Sequence, residues 1–219
     1  MANRVPESCP LCSGGMIEFE FHQILHHRDF YLCKSCDLSF VDRKQLLSED
    51  DEKSRYDFHQ NDIRTVGYEK FLRRLINPIK EKFAFDAKGL DFGSGPYPML
   101  IEIMNEEGFD NIISYDAIYD PNISVFDNTY DFITACEVLE HVYKLEFELK
   151  RIIKSLNIGA DLVVSTGVKQ PGADITKWHY IHDDTHINLF SLKTFEFMAQ
   201  KYQLKISKLE KALVIFSKR

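Results

Sequence analysis

Apolar and polar positions alternate between two periods along this chain, and the switches mark its elements. Short apolar runs bounded by turn residues predict strands at 16–21 and 30–32, then at 111–115, 132–135 and 161–166. A further strand ends in Leu90-Asp91-Phe92, directly before a glycine turn. Between these runs the spacing becomes helical. Val66, Phe71, Leu72, Leu75, Ile76, Ile79 and Phe83 recur every three to five residues. Pro78 removes an N–H and disfavours helix at Asn77, so two helices are predicted there, over 62–76 and 78–84. Residues 99–104 form an apolar helix with Pro98 at its first position. In 144–156, Leu145, Leu149, Ile152, Ile153 and Leu156 share one face, and 157–159 end that helix. A helix over 192–202 and two strands over 204–210 and 212–217 close the chain. Residues 48–52 are polar and acidic and read as a linker, and 167–188 read as one long loop.

This succession is that of an α/β protein with a parallel sheet. The 219 residues suffice for one medium domain and a small appendage, and 44% hydrophobic content supports a packed core. Three parts are expected: 1–47, a helical segment at 48–86, and the α/β domain at 87–219. The formal charge of −7 gives no global field for nucleic acid, although a local basic groove stays open. No apolar run approaches the ~18 residues that span a bilayer. The N-terminus lacks the pattern of a signal peptide, so a cytoplasmic, reducing setting is expected, with the cysteines as thiols or metal ligands.

Four of the five cysteines form the pattern C-x2-C-x20-C-x2-C: Cys9, Cys12, Cys33 and Cys36. Each C-x2-C is a tight knuckle that aims two thiolates at one ion, and four thiolates suit tetrahedral Zn²⁺. Short strands between the knuckles complete the reading of a zinc ribbon with a structural ion. His22, His26 and His27 are rival ligands, but four sulfurs already close such a site.

The chemistry centres on Asp91-Phe92-Gly93-Ser94-Gly95. Strand, glycine turn and helix together aim free backbone N–H groups at a nucleotide-like ligand. A dinucleotide site wants a third glycine where Pro98 stands. The acid before the first glycine instead resembles motif I of class I S-adenosylmethionine-dependent methyltransferases. That resemblance implies a Rossmann-like sheet closed by an antiparallel hairpin, with Asp91 near the methionyl amino end of S-adenosylmethionine. It also implies that Gly93, Ser94 and Gly95 border its sugar and methionine part. Asp116, at the tip of the next strand, has the position that accepts ribose hydroxyls, with Asp120 as the fallback and Ala117 beside it. Only 14 residues then separate Asp116 from Asp131, so the third strand of that fold is short or missing. Its adenine contacts fall to Val125, Phe126 and Asp127.

Strand 132–135 runs into Glu137-Val138-Leu139-Glu140-His141, which resembles the fourth-strand motif of the branch that includes ubiquinone-pathway enzymes. The resemblance sets Cys136 and Glu137 beside the cofactor, Cys136 as a spectator. The helical stretch over 54–85 would cover it, with Tyr56, His59, Asn61, Asp62 and Tyr68 as contacts or as an ordinary solvated face. The long loop carries Trp178-His179-Tyr180 and Asp183-Asp184-Thr185-His186, similar to small bacterial methyltransferases with an N-terminal four-cysteine site. Methyl transfer needs a base only when the acceptor enters protonated. The candidates are His186, then His179, with His141 either a base or a structural residue. A metal on His179, His182 and His186 is the competing use of that loop. The acceptor expected is a small molecule. One alternative is RNA methylation with the ribbon as reader. It meets five Lys/Arg against six Asp/Glu in residues 1–47, which disfavours phosphate binding. The other is a cofactor-binding docking protein without turnover. The oligomeric state is not encoded in any pattern here.

Overall fold

The computed structural model describes residues 5–57, 63–210 and 212–219. His59, Asn61 and Asp62 lie outside the described residues. The strands are β1 (Ile17–Gln23), β2 (Arg28–Cys33), β3 (Ser39–Val41), β4 (Gly89–Phe92), β5 (Ile112–Tyr115), β6 (Tyr130–Cys136), β7 (Leu156–Ser165), β8 (Val168–Lys169), β9 (Asn188–Ser191), β10 (Leu204–Glu210) and β11 (Leu213–Lys218). The helices are α1 (Glu49–Tyr56), α2 (Val66–Lys82), α3 (Met99–Glu106), α4 (Leu145–Lys154) and α5 (Leu192–Lys201).

The larger sheet has the order β10-β11-β7-β6-β4-β5. β5, β4, β6 and β7 are parallel, and β11 pairs antiparallel with both β7 and β10. Successive side chains go to opposite faces. Phe132, Val163, Leu213 and Ile215 therefore pack on one side with Leu72, Leu75 and Ile76 of α2 and Ile103 of α3. Ile133, Leu162, Val164 and Phe216 pack on the other with Leu149 of α4 and Phe195 of α5. The α/β sheet with its closing hairpin is the expected one, and the third strand, expected to be short or missing, is absent among the described residues. An isolated bridge between Asp116 and Asp120 and a short 3-10 turn at Ile123–Asp127 stand in its place.

The second sheet runs β1-β2-β3-β9-β8. Its first three strands come from the N-terminal segment and its last two from the C-terminal half. The seam is β3 against β9, with Ser39 opposite Leu189 and Phe40 opposite Asn188. Leu11, Tyr31 and Leu38 share one buried cluster with Phe190, Phe195 and Met198.

Four local expectations are corrected. Residues 48–52 are not a linker. Ser48 caps α1 by accepting the Asp51 N–H at 3.2 Å, and Glu49, Asp50, Asp51 and Glu52 lie at the positive end of the helix dipole. α2 is one helix that runs through Pro78. Its stripe of Leu72, Leu75, Ile76 and Ile79 is buried on both sides of the proline, and that packing outweighs one lost backbone bond. β7 begins at Leu156, so 157–159 open a strand, with Gly159 at φ 81° beside a register shift against β6. The loop over 167–188 contains β8 and two 3-10 turns, Ile175–Lys177 and His179–His182, and leads into β9.

Candidate functional site

Each knuckle closes in the same way. Ser13 N–H bonds Cys9 O at 3.0 Å, and Asp37 N–H bonds Cys33 O at 2.8 Å. Ser13 and Asp37 both take positive φ, 58° and 61°, four residues after the first cysteine of their knuckle. The four sulfurs lie within 4.8 Å of one another, and Cys9–Cys36 and Cys12–Cys33 are each 3.5 Å apart. A Zn–S distance of about 2.3 Å requires sulfurs about 3.8 Å apart, so the set fits a tetrahedral ion. His22 instead pairs with Asp29 at 2.7 Å, and His26 bonds His182 O at 2.9 Å. The knuckles are seated on the α/β part. Lys201 Nζ donates to Leu11 O, Ser13 Oγ to Glu146, and Ser191 Oγ to Asp37 Oδ2 at 2.6 Å.

The second site is a cavity of about 940 Å³ over the carboxyl ends of β4, β5 and β6, within the size range of ligand pockets. Asp91, Gly93, Ser94, Gly95, Asp116, Ala117, Cys136 and Glu137 all line it. Gly93 N–H and Ser94 N–H both turn back to Tyr115 O, at 2.7 and 3.2 Å. Gly93 takes φ 77°, and a Cβ there would lie 2.4 Å from the Val138 side chain. Gly95 takes φ 66°, and no atom lies within 4 Å of where its Cβ would be. The turn is therefore packed at Gly93 and open to the cavity at Gly95. Asp116 Oδ2 accepts the Gly95 N–H at 2.9 Å, and Oδ1 accepts those of Ile118 and Tyr119 at 2.9 and 3.0 Å. Asp120, the fallback, accepts Ser114 Oγ instead. Val125, Phe126 and Asp127 do not line the cavity. The chain turns back at the Asp116–Asp120 bridge, so Ile118 and Tyr119 take their place, while Phe126 packs on Tyr115 and under Arg151.

Asp91 is 4% exposed and accepts Thr134 Oγ1 at 2.6 Å. Burial, with Asp116 nearby, raises its pKa to about 6 against the pull of that hydrogen bond. Burial also pushes the Cys136 thiol well above its ordinary value, so it is no nucleophile at neutral pH. Glu137 holds a strained φ of 51° at the strand end, and its Oε1 accepts Ser165 Oγ at 2.7 Å.

The other end of the cavity is lined by Glu52 and Tyr56 of α1 and by His141, Tyr143, Asp183 and His186. His186 Nδ1 lies 2.7 Å from Tyr180 O. A carbonyl can only accept, so Nδ1 carries the proton and Nε2 a lone pair. Burial lowers the His186 pKa, with Asp183 opposing, which keeps the ring neutral at pH 7. His141 Nδ1 donates in the same way to Thr185 O at 3.1 Å, and the two imidazoles are 4.8 Å apart. Beneath them Glu140 is fully buried. Desolvation and Glu137 raise its pKa to about 8, and Tyr180 OH donates to it. One ligand atom each from Glu140, His141 and His186 lies within 4.8 Å of the others, a set that could hold a divalent ion. His179 is exposed and outside this lining, and neither it nor His182 joins that set among the described residues. Glu140 and Tyr180 carry a sequence signal: two carboxylates three apart beside a histidine, and a tyrosine inside an aromatic loop.

The sequence profile described as "Methyltransferase domain" matches residues 64–209. No curated protein sequence matches the chain. Among solved structures, the 1,6-didemethyltoxoflavin-N1-methyltransferase of Burkholderia thailandensis, determined with 1,6-didemethyltoxoflavin and S-adenosylhomocysteine, aligns over 92% of this chain and 99% of its own. It is 14% identical with a TM-score of 0.56, a likeness of fold. YcgJ of Bacillus subtilis aligns over 65% of this chain and 71% of its own, at 15% identity and a TM-score of 0.45. A Thermotoga maritima S-adenosylmethionine-dependent methyltransferase aligns over 70% and 95%, at 14% and 0.44.

Proposed function

The chain belongs to the class I S-adenosylmethionine-dependent methyltransferases, and from that premise we propose that it methylates a small-molecule acceptor at the His141–His186 end of the cavity. The observation that carries this reading is the Gly95 turn, open to the cavity and tied to the carboxylate at the neighbouring strand tip. Bound S-adenosylmethionine supplies a methyl group already electrophilic on its sulfonium. The chain's task is to align the acceptor, at about 3–3.5 Å from that carbon, and to exclude water. Asp91 would face the amino end, Gly93, Ser94 and Gly95 the sugar and methionine part, and Asp116 the ribose. Ala117, Cys136 and Glu137 would form the remaining wall.

His186, neutral and with Nε2 unprotonated, is the base for an acceptor that enters protonated, worth about 10²–10⁴-fold. His141 is the neighbouring candidate, and exposed His179 retains at most a peripheral role. A cation on Glu140, His141 and His186 is a second reading of the same corner, favoured by their convergence. At the cysteine cluster the four thiols would hold a structural Zn²⁺. The Burkholderia methyltransferase structure, with 1,6-didemethyltoxoflavin bound, supports a small-molecule acceptor here. A ribbon with no basic excess and packed into the core gives an RNA reader little support.

The test has two arms. Calorimetry with S-adenosylhomocysteine should give saturable binding. Methyl-labelled S-adenosylmethionine incubated with the small-molecule fraction of a cell extract should label one product. Absence of heat with both cofactor forms would remove the enzyme assignment, while binding without any transfer would favour a docking protein.

A further inference from the structure

The stretch 178–186, which carries Asp183 and His186, pairs with no strand. Over 178–186 the internal backbone bonds outside the 3-10 turn His179–His182 are Ile181 N–H to Trp178 O at 3.2 Å and His186 N–H to Asp183 O at 3.3 Å. Its carbonyls instead turn inward onto one cation from the N-terminal segment. Arg28, the first residue of β2, is 3% exposed. Its Nη1 donates to Asp184 O at 2.6 Å and His186 O at 3.2 Å. Its Nη2 donates to Asp183 O at 2.9 Å and Ile181 O at 3.1 Å. Two other residues of the same hairpin assist. Gln23 Nε2 donates to Ile181 O at 3.0 Å, and His26 Nε2 to His182 O at 2.9 Å. The hairpin thus claims the carbonyls of 181, 182, 183, 184 and 186.

Four carbonyl dipoles that converge on one buried point repel each other unless a cation sits there. A guanidinium suits the task because its planar fork places several N–H groups in fixed directions at once, which an ammonium on a flexible stem does not. The Asp183 and Asp184 carboxylates oppose the desolvation that burial imposes on Arg28. The consequence reaches the cavity, because Asp183 and His186 line it and the Tyr180 ring packs tilted against His186 with ring centroids 4.0 Å apart. We propose that Arg28 is a positioning residue for methyl transfer, and that the cysteine-knuckle ribbon serves as the brace of the acceptor-side loop. This inference rests on the methyltransferase reading of the cavity.

Trp178, the single tryptophan, stacks on Tyr180 at 4.9 Å and gives the loop its own fluorescence signal. The test compares the full-length, zinc-loaded wild type with R28Q and R28K. Affinity for S-adenosylhomocysteine, titrated by calorimetry, should stay within about twofold in both variants, since the cofactor turn lies on other elements. Methyl transfer to the extract fraction should fall by about 10²-fold in R28Q, as expected of a small misplacement of reacting groups. R28K should recover only part of it. Acrylamide quenching of Trp178 should rise in both variants. Millimolar guanidinium should restore transfer and quenching in R28Q but not in R28K. If R28Q does not fold, R28K supplies the same readouts.

Wild-type quenching of Trp178 in a folded variant overturns the inference, whatever the transfer assay reads. So does a loss of cofactor affinity that matches the loss of transfer, which would make Arg28 a support of the whole fold. A wild type that binds no S-adenosylhomocysteine overturns the methyltransferase reading itself, a result separate from either of these.

Discussion

Asp116 ties its own strand tip to the glycine turn of the neighbouring strand, its Oδ2 accepting the Gly95 N–H at 2.9 Å while Oδ1 accepts two further backbone N–H groups. Strand tip and backbone bend are therefore held by one carboxylate. Asp116→Ala should weaken S-adenosylhomocysteine by about 10–100-fold, the range for hydrogen bonds to a charged group. Asp116→Asn should not rescue it. An amide presents one oxygen to three backbone donors and turns an NH₂ toward the rest. Calorimetric titration of both variants checks this, and wild-type affinity in Asp116→Ala would remove the carboxylate from the ribose role.

Asp91 should make cofactor binding depend on pH. Its pKa of about 6 in the folded protein lies above the ordinary 3.8, so the folded chain holds this proton more tightly than the unfolded one. The sign follows for stability. The contribution from Asp91 is fully present below about pH 3.8 and is lost as pH rises through 6. A cationic amino group favours the ionised form, so binding releases the proton. Affinity for S-adenosylhomocysteine should be flat above pH 6 and fall about tenfold per unit below it. Thr134→Val removes the hydrogen bond that holds the pKa down and should move the break to higher pH. A profile flat from pH 5 to pH 8 would rule this coupling out.

The two glycines should fail in different ways. In Gly93→Ala the added methyl meets Val138 at 2.4 Å with the backbone at φ 77°. Strain and overpacking together should cost about 3 kcal/mol. In Gly95→Ala the methyl meets no protein atom, so the cost is about 1 kcal/mol of backbone strain. The same methyl stands in the cavity and should abolish cofactor binding. Thermal unfolding and calorimetry on the pair separate the two effects.

The convergence of Glu140, His141 and His186 predicts a weak divalent-ion site. Mn²⁺ should bind the wild type by electron paramagnetic resonance and be lost in Glu140→Gln. Cysteine-cluster ligands are untouched by that change, so the zinc content should stay the same.

The order of the α/β elements was legible because parallel strands covered on both faces read as apolar runs and their helices as stripes. The missing third strand was legible as a distance, the short interval from Asp116 to Asp131. α1 was not, because capping and the dipole hold it and it buries no residue. β3, β8 and β9 were not either. They are two to four residues long, too short to show a period, and β9 pairs with β3 from near the other end of the chain. Arg28 read as an ordinary polar residue at a strand start, since the carbonyls it serves lie more than 150 residues on.

Zinc removal tests whether the ribbon is separable. Cys9, Cys33 and Cys36 share a buried cluster with Phe195 and Met198 of α5, and both knuckles are hydrogen-bonded to α4, α5 or the residue before α5. A module joined by a tether would melt by itself and leave the larger sheet intact. Here the seam between β3 and β9 should carry the effect of metal removal into the residues that lead to α5. Metal-bound protein should therefore unfold in one calorimetric transition, with one zinc per chain by elemental analysis. Chelation, or Cys33→Ser, should lower the midpoint of that same transition and weaken methyl transfer before it weakens cofactor binding. Two resolved transitions, the upper one unchanged by chelation, would make the ribbon an independent unit.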